Sequence, residues 1–163
     1  MNADLKGKTA IVTGASRGIG KALACTAASL GINLAIAARQ EGPLKETAED
    51  IAKKYKVQVL AVPCDVTKLE DLENLVNKAK EKFGTIDILI NNAGVSSQYP
   101  FEKQPIEDFE KLAHTNYLGY VRLIRLVIND MIKNKSGAII NMVSGSTLCD
   151  PLHEQIGEPV VSS

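Results

Sequence analysis

The stretch TAIVTGASRGIG, Thr9 to Gly20, is followed at once by an apolar helical pattern through Leu23, Ala24, Ala27 and Leu30. A β-rich run, a tight glycine turn and a helix start, in that order, leave unpaired backbone N–H groups and the positive end of a helix dipole facing one point. Gly14 suits the turn, Gly18 lets a pyrophosphate approach the backbone, and Gly20 allows close contact between helix and strand. A turn that merely connects two elements would also use glycines. The strand before, the helix after and a second strand about 20 residues on favour a dinucleotide site.

Outward from this unit the alternation continues. Asn33 to Ala38, Val57 to Val62, Ile86 to Asn91 and Ala138 to Val143 are short apolar β-rich runs separated by stretches of helical period. Runs apolar on both faces belong to a parallel sheet covered by helices on each side. The fold class is therefore α/β: a Rossmann-like doubly wound sheet of five strands in the order 3-2-1-4-5. Thr67 and Glu70 have the spacing of a capping box, and Leu69, Leu72, Leu75, Val76, Ala79 and Phe83 follow at helical spacing. A helix from about Pro105 to Asn134 carries the stripe Leu112, Asn116, Tyr120, Leu123, Ile124, Val127 and Met131, in which Asn116 is polar.

The second strand ends in Ala37, Ala38 and Arg39. An acidic residue there would bind the ribose 2′-hydroxyl of NAD. A guanidinium suits a 2′-phosphate instead, with Arg17 as a second charge, so NADP(H) is the expected cofactor. The alternative is that both arginines are solvated surface charges.

Nineteen basic residues balance nineteen acidic ones with no long block of one sign, which leaves no footprint for nucleic acid or anionic lipid. The start lacks an apolar leader and no apolar run approaches the roughly 18 residues of a membrane span, so a cytoplasmic location is expected. Cys25, Cys64 and Cys149 are widely spaced without a Cys-x-x-Cys and read as small buried hydrophobes rather than a disulfide or zinc framework.

Four motifs in order, TGASRGIG at 13–20, CDVT at 64–67, NNAG at 91–94 and IINMVS at 139–144, resemble those of the short-chain dehydrogenase/reductase family. The resemblance covers residues 7 to about 147. The expected cofactor set is then Gly14, Ser16, Arg17, Gly18, Ile19, Gly20, Arg39, Asp65, Val66, Asn92, Ala93 and Gly94, in which the resemblance implies Asp65 and Val66 beside the adenine ring and Ala93 and Gly94 close to the cofactor. It also implies that Asn91 braces the central strands. Asn116 matches the family's active-site Asn and Ser144 the Ser that binds the substrate carbonyl, with Ser146 a weaker candidate. The blander roles remain open: a backbone-satisfied amide for Asn116, a cap or turn for Ser144, a turn for Asp65.

In that family a Tyr follows the Ser by about 13 residues and a Lys lies four further on. Here that place is Gly157; the last Tyr is Tyr120 and the last Lys is Lys135. A Rossmann domain over residues 1–147, lacking the family's last strands and helices, and a divergent, mostly irregular tail over 148–163 are expected. The parent reaction implied is NADPH-dependent reduction of a small-molecule carbonyl or the reverse alcohol oxidation, inactive as the chain stands. The alternative is a non-catalytic NADP(H) binder or dimer partner, with the 105–134 helix as a homo-oligomer face. Ser144, Asp150 and His153 fall in hydrolase order but lack a nucleophile elbow, and Cys149 with His153 are too few for a metal site.

Overall fold

A computed structural model describes residues 5–97 and 99–143. Five parallel strands, β1 (Thr9–Thr13), β2 (Asn33–Ala38), β3 (Val59–Pro63), β4 (Ile88–Asn91) and β5 (Ala138–Asn141), lie in the order β3-β2-β1-β4-β5. This is the expected 3-2-1-4-5 sheet. Val12 at its centre pairs with Ile36 on one side and Ile90 on the other.

The described residues include five helices, α1 (Gly18–Ser29), α2 (Glu41–Tyr55), α3 (Leu69–Phe83), α4 (Ile106–Ala113) and α5 (Gly119–Lys133), of which α1 and α2 cover one face of the sheet and α3 and α5 the other. The period-2 geometry of a strand divides the core. Ala10 and Val12 pack with Ala24, Leu44 and Ile51 under α1 and α2. Ile11 packs on the opposite face with Leu72, Leu75, Leu123 and Val127 of α3 and α5. Each such Leu or Ile, fully buried, contributes about 1.5–3 kcal/mol.

Several expected boundaries move. β3 begins at Val59, because Lys56 takes a left-handed turn (φ 58°) and the Gln58 N–H is held by Asn33 Oδ1 at 3.1 Å. β4 begins at Ile88, and β5 ends at Asn141. Leu69, expected in the buried stripe of α3, is 48% exposed because it is the first residue of that helix.

The capping box does not form. The Thr67 hydroxyl donates to Asp65 Oδ1 at 2.8 Å, and Lys68 occupies the N-cap without a side-chain bond. The turn that precedes the helix has taken the hydroxyl. Asp71 plays the reciprocal part instead, its carboxylate accepting the Asp65 N–H at 2.8 Å.

The long helix expected over 105–134 is present from Ile106 to Lys133 but is interrupted by a π turn. Between α4 and α5 lies one π turn, His114–Leu118, closed by the Gly119 N–H donating to the His114 carbonyl. The extra residue rotates the face, so Asn116 leaves the buried stripe while Tyr120, Leu123, Val127 and Met131 keep it.

Asn91 is buried at the end of β4 and donates from Nδ2 to Asn141 Oδ1 of β5 at 2.9 Å, a brace between neighbouring strands. Among the described residues β5 pairs with β4 alone, and its Ile140 is 45% exposed. Cys64 is buried and Cys25 half-buried. No helix among the described residues is long and apolar enough to cross a membrane. Ser144, Ser146, Cys149, Asp150, His153, Gly157 and the 148–163 tail lie outside the described residues.

Candidate functional site

At the end of β1 the Thr13 hydroxyl accepts the N–H groups of Asn92 and Ala93, both at 3.0 Å, while Asn92 Nδ2 donates to the Thr13 carbonyl at 2.9 Å. These bonds lock the ends of β1 and β4 together. Gly14 turns away with φ +67°, and a Cβ there would fall 2.9 Å from Ala93 Cα. A Cβ on Gly20 would collide with the Gly14 carbonyl oxygen. Only a chain without side chains at both places brings the start of α1 this close to the strand.

Arg17 is the N-cap of α1, in extended conformation, and no side chain caps the helix. The first-turn N–H groups are therefore open at the positive end of the dipole. Ser16 is held from behind by the Thr47 hydroxyl, which donates to its carbonyl at 3.1 Å.

Opposite the loop stands the turn after β3. Asp65 Oδ1 accepts both the N–H (3.0 Å) and the hydroxyl (2.8 Å) of Thr67, and the Lys68 N–H donates to the Asp65 carbonyl at 2.9 Å. Among the described residues, nothing bonds the Val66 N–H or the second Asp65 oxygen. Burial pushes the Asp65 carboxyl up, but the two Thr67 donors, aided by Arg39 and Lys68, outweigh it and hold the group below its ordinary value. Cys64, one residue earlier, is pushed up to about 12, first by burial and then by Asp71 and Asp65, so it stays a neutral thiol.

Between these walls runs a cleft of about 880 Å³. All twelve residues singled out for a cofactor, Gly14, Ser16, Arg17, Gly18, Ile19, Gly20, Arg39, Asp65, Val66, Asn92, Ala93 and Gly94, line it.

Asn116 does not line the cleft; it holds a residue that does. Its carboxamide is spent on Val95, next to Gly94. Tyr120 lies one turn on, its hydroxyl 3.4 Å from the Met142 carbonyl, and burial raises its phenol, which remains a neutral core group.

Gln40 and Val95, outside the expected set, also line the cleft, and four further residues on one helical stripe line or support it. Lys111 and Thr115 line the cleft. Gly119 lies against the Val66 carbonyl, and Arg122 Nη1 donates to the Thr67 carbonyl at 2.8 Å. Their spacing of 111, 115, 119 and 122 is a helical stripe running through the π turn. That spacing was available in the sequence, but four unlike residues, two of them cationic, read as a solvated face.

The sequence model of the family described as short chain dehydrogenase matches residues 8–154. The chain belongs to the short-chain dehydrogenase family. An uncharacterized oxidoreductase of Staphylococcus saprophyticus is 38% identical over 141 residues, 86% of this chain and 60% of the relative. A solved 7α-hydroxysteroid dehydrogenase complexed with NADH and 7-oxo glycochenodeoxycholic acid is similar with a TM-score of 0.87 and 32% identity, covering 96% of this chain and 62% of that one. L-sorbose reductase from Gluconobacter frateurii, complexed with NADPH and L-sorbose, matches with a TM-score of 0.81 and 34% identity over 85% of this chain and 53% of its own. The chain spans 41% to 60% of the length of the curated relatives it matches.

Proposed function

We propose that the cleft binds NADP(H), and that the chain carries the cofactor-binding part of a carbonyl reductase or alcohol dehydrogenase. The observation that carries this is the uncapped first turn of α1, open to the same cleft as the free Val66 N–H and Asp65 oxygen. The pyrophosphate fits the first, where a Cβ on Gly18 would have no atom of the chain within 4 Å and Gly20 lets α1 start close against the Gly14 carbonyl. Adenine fits the second, since an acceptor beside a donor complements its exocyclic amine and adjacent ring nitrogen. Arg17 and Arg39, both exposed on the rim, suit a 2′-phosphate. The relatives named above include an NADH and an NADPH complex, so the preference for NADP(H) rests on these two arginines alone.

When bound, the nicotinamide supplies a hydride to a carbonyl carbon. The chain's own residues then have distinct tasks. Gly94 and Val95 form the wall of the cleft that Asn116 steadies, and Ser144 donates a hydrogen bond to the substrate carbonyl. Residues 145–163 contain neither Tyr nor Lys, so no phenol of lowered pKa stands 13 residues beyond Ser144. Lack of a positioned general acid costs roughly a hundredfold to ten-thousandfold. The chain by itself therefore binds NADPH and turns over carbonyls slowly or not at all.

A second reading has its own observation. Ile106 and Tyr117, on and just after α4, are 66% and 65% exposed. A chain that binds cofactor without chemistry and pairs through this helical face, with a second copy or with a relative, accounts for them. NADPH fluorescence titration of the 163-residue chain, set beside carbonyl-dependent NADPH oxidation, tests both. Saturable binding with little turnover supports the proposal, turnover at the rates of intact relatives overturns the inactivity, and a folded chain that binds no NADPH overturns the function.

A further inference from the structure

Arg122 sits on α5 outside the cleft and outside the motifs that carry the family resemblance, yet its guanidinium reaches the turn that forms one wall. We propose that Arg122 is a positioning residue for the adenine half of the cofactor: by holding the Thr67 carbonyl it fixes the free Asp65 oxygen and the Val66 N–H against α5. The proposal rests on the NADP(H) reading above and says which part of that site depends on α5.

The arrangement is hard to explain as stabilisation alone. Thr67 immediately precedes the N-cap of α3, the positive end of that helix, where a cation is disfavoured. Glu70 and Asp71 in the first turn offset the charge, and the side chain of Asp71 is already committed to the Asp65 N–H. A half-buried Arg lies there and donates to a carbonyl rather than to a carboxylate.

One turn earlier Gly119 allows the second contact, because a Cβ would lie 2.9 Å from the Val66 carbonyl. Successive carbonyls, Val66 and Thr67, thus meet successive turns of one helix. Among the described residues the other hydrogen bonds of the turn are internal to the segment from Asp65 to Asp71: Thr67 to Asp65, Lys68 to Asp65, Asp65 to Asp71. Those bonds shape the turn; the Cys64 N–H, donating to the Ala38 carbonyl at 3.0 Å, fixes its start against β2, and Arg39 adds charge attraction to Asp65. Arg122 and Gly119 tie it to α5, which runs on from the π turn where Asn116 holds Val95, another lining residue of the cleft. One helical segment therefore holds both the Asp65–Thr67 turn and Val95.

The test separates the two halves of the ligand. The 163-residue chain, Arg122→Met (which keeps the aliphatic stem) and Arg122→Lys (which keeps a donor) are titrated with adenosine 2′,5′-bisphosphate, reduced nicotinamide mononucleotide and NADPH. Arg122→Met is expected to weaken adenosine bisphosphate and NADPH alike by about tenfold, the worth of one charge-assisted hydrogen bond, with the mononucleotide changed less than about twofold. Arg122→Lys is expected to recover most of that loss, which a merely structural side chain would not show. Arg122→Gln carries the same comparison if the Met variant does not fold. Equal losses in both halves, or no loss in the adenine half, overturn the inference while leaving the cofactor reading intact. Failure of the unsubstituted chain to bind adenosine bisphosphate overturns both.

Discussion

Asn116 grips Val95 twice: its Oδ1 accepts the Val95 N–H at 2.9 Å and its Nδ2 donates to the Val95 carbonyl at 2.8 Å. A carboxamide matches both backbone groups of one residue, much as a neighbouring strand would. The π turn makes this reach available by moving Asn116 off the buried stripe. Replacing it by Ala removes both bonds at an exposed site, for about 1 kcal/mol and a Tm lower by roughly 2–4 °C. Asn116→Asp keeps the acceptor but sets a charge against the Val95 carbonyl, and is expected to weaken NADPH at least as much as Ala. Thermal melts and NADPH titrations of the pair check this.

Gly20→Ala meets a backbone carbonyl rather than a flexible side chain. The collision with Gly14 forces α1 away from β1, costing about 1–3 kcal/mol. NADPH affinity is expected to fall below detection while far-ultraviolet circular dichroism stays that of an α/β chain. A variant that binds as before would show that the loop is not where the phosphates lie.

Arg39→Ala separates the two dinucleotides. Losing a charge-assisted contact to the 2′-phosphate is worth roughly tenfold to a hundredfold for NADPH, with NADH changed less than about twofold. Added salt should shrink the NADPH preference of the unsubstituted chain, because both arginines are exposed. Parallel titrations at two ionic strengths read both effects.

Asp65 makes stability depend on pH in a defined direction. Its folded value lies below the ordinary carboxylate range, so its contribution is present above the unfolded value of about 3.9 and is lost as pH falls through the folded value. Asp65→Asn should therefore lower Tm at pH 6 and converge with the parent chain in acid. A difference that widens toward acid would reverse the assignment.

Cys64 is expected to resist alkylation at pH 8. A thiol at about 12 is roughly one part in ten thousand thiolate there, and this one is buried as well. Peptide mapping after iodoacetamide, with and without denaturant, should show Cys64 labelled only when the chain is unfolded, and Cys25 labelled sooner.

Which parts were legible in the sequence follows from how local their causes are. The β1 run, the glycine turn and α1 were readable because hydrophobic period and turn chemistry both lie within Thr9 to Ser29. Of the twelve expected residues, Arg39 was readable from the end of the second strand and the others from the order of the motifs, and the structure gathers all of them at one cleft. The π turn was not, since one extra residue in a helix disturbs the apolar stripe no more than ordinary scatter does. The capping box misled for a related reason: Thr67 had two acceptors in reach, and the Asp65 turn, formed from residues immediately adjacent, claimed the hydroxyl. Lys111 and Arg122 were invisible because a cation on a helix is ordinarily solvated, and only the tertiary fold sets α4 and α5 beside the β3–α3 turn.

The most direct measurement is a calorimetric titration of the 163-residue chain with NADPH and with NADH in one buffer, repeated on Gly20→Ala. The account predicts saturable one-to-one binding, NADPH tighter than NADH by about tenfold or more, and no binding of either by the variant. A folded chain that ignores both dinucleotides, or Gly20→Ala binding as tightly as the parent, would contradict it.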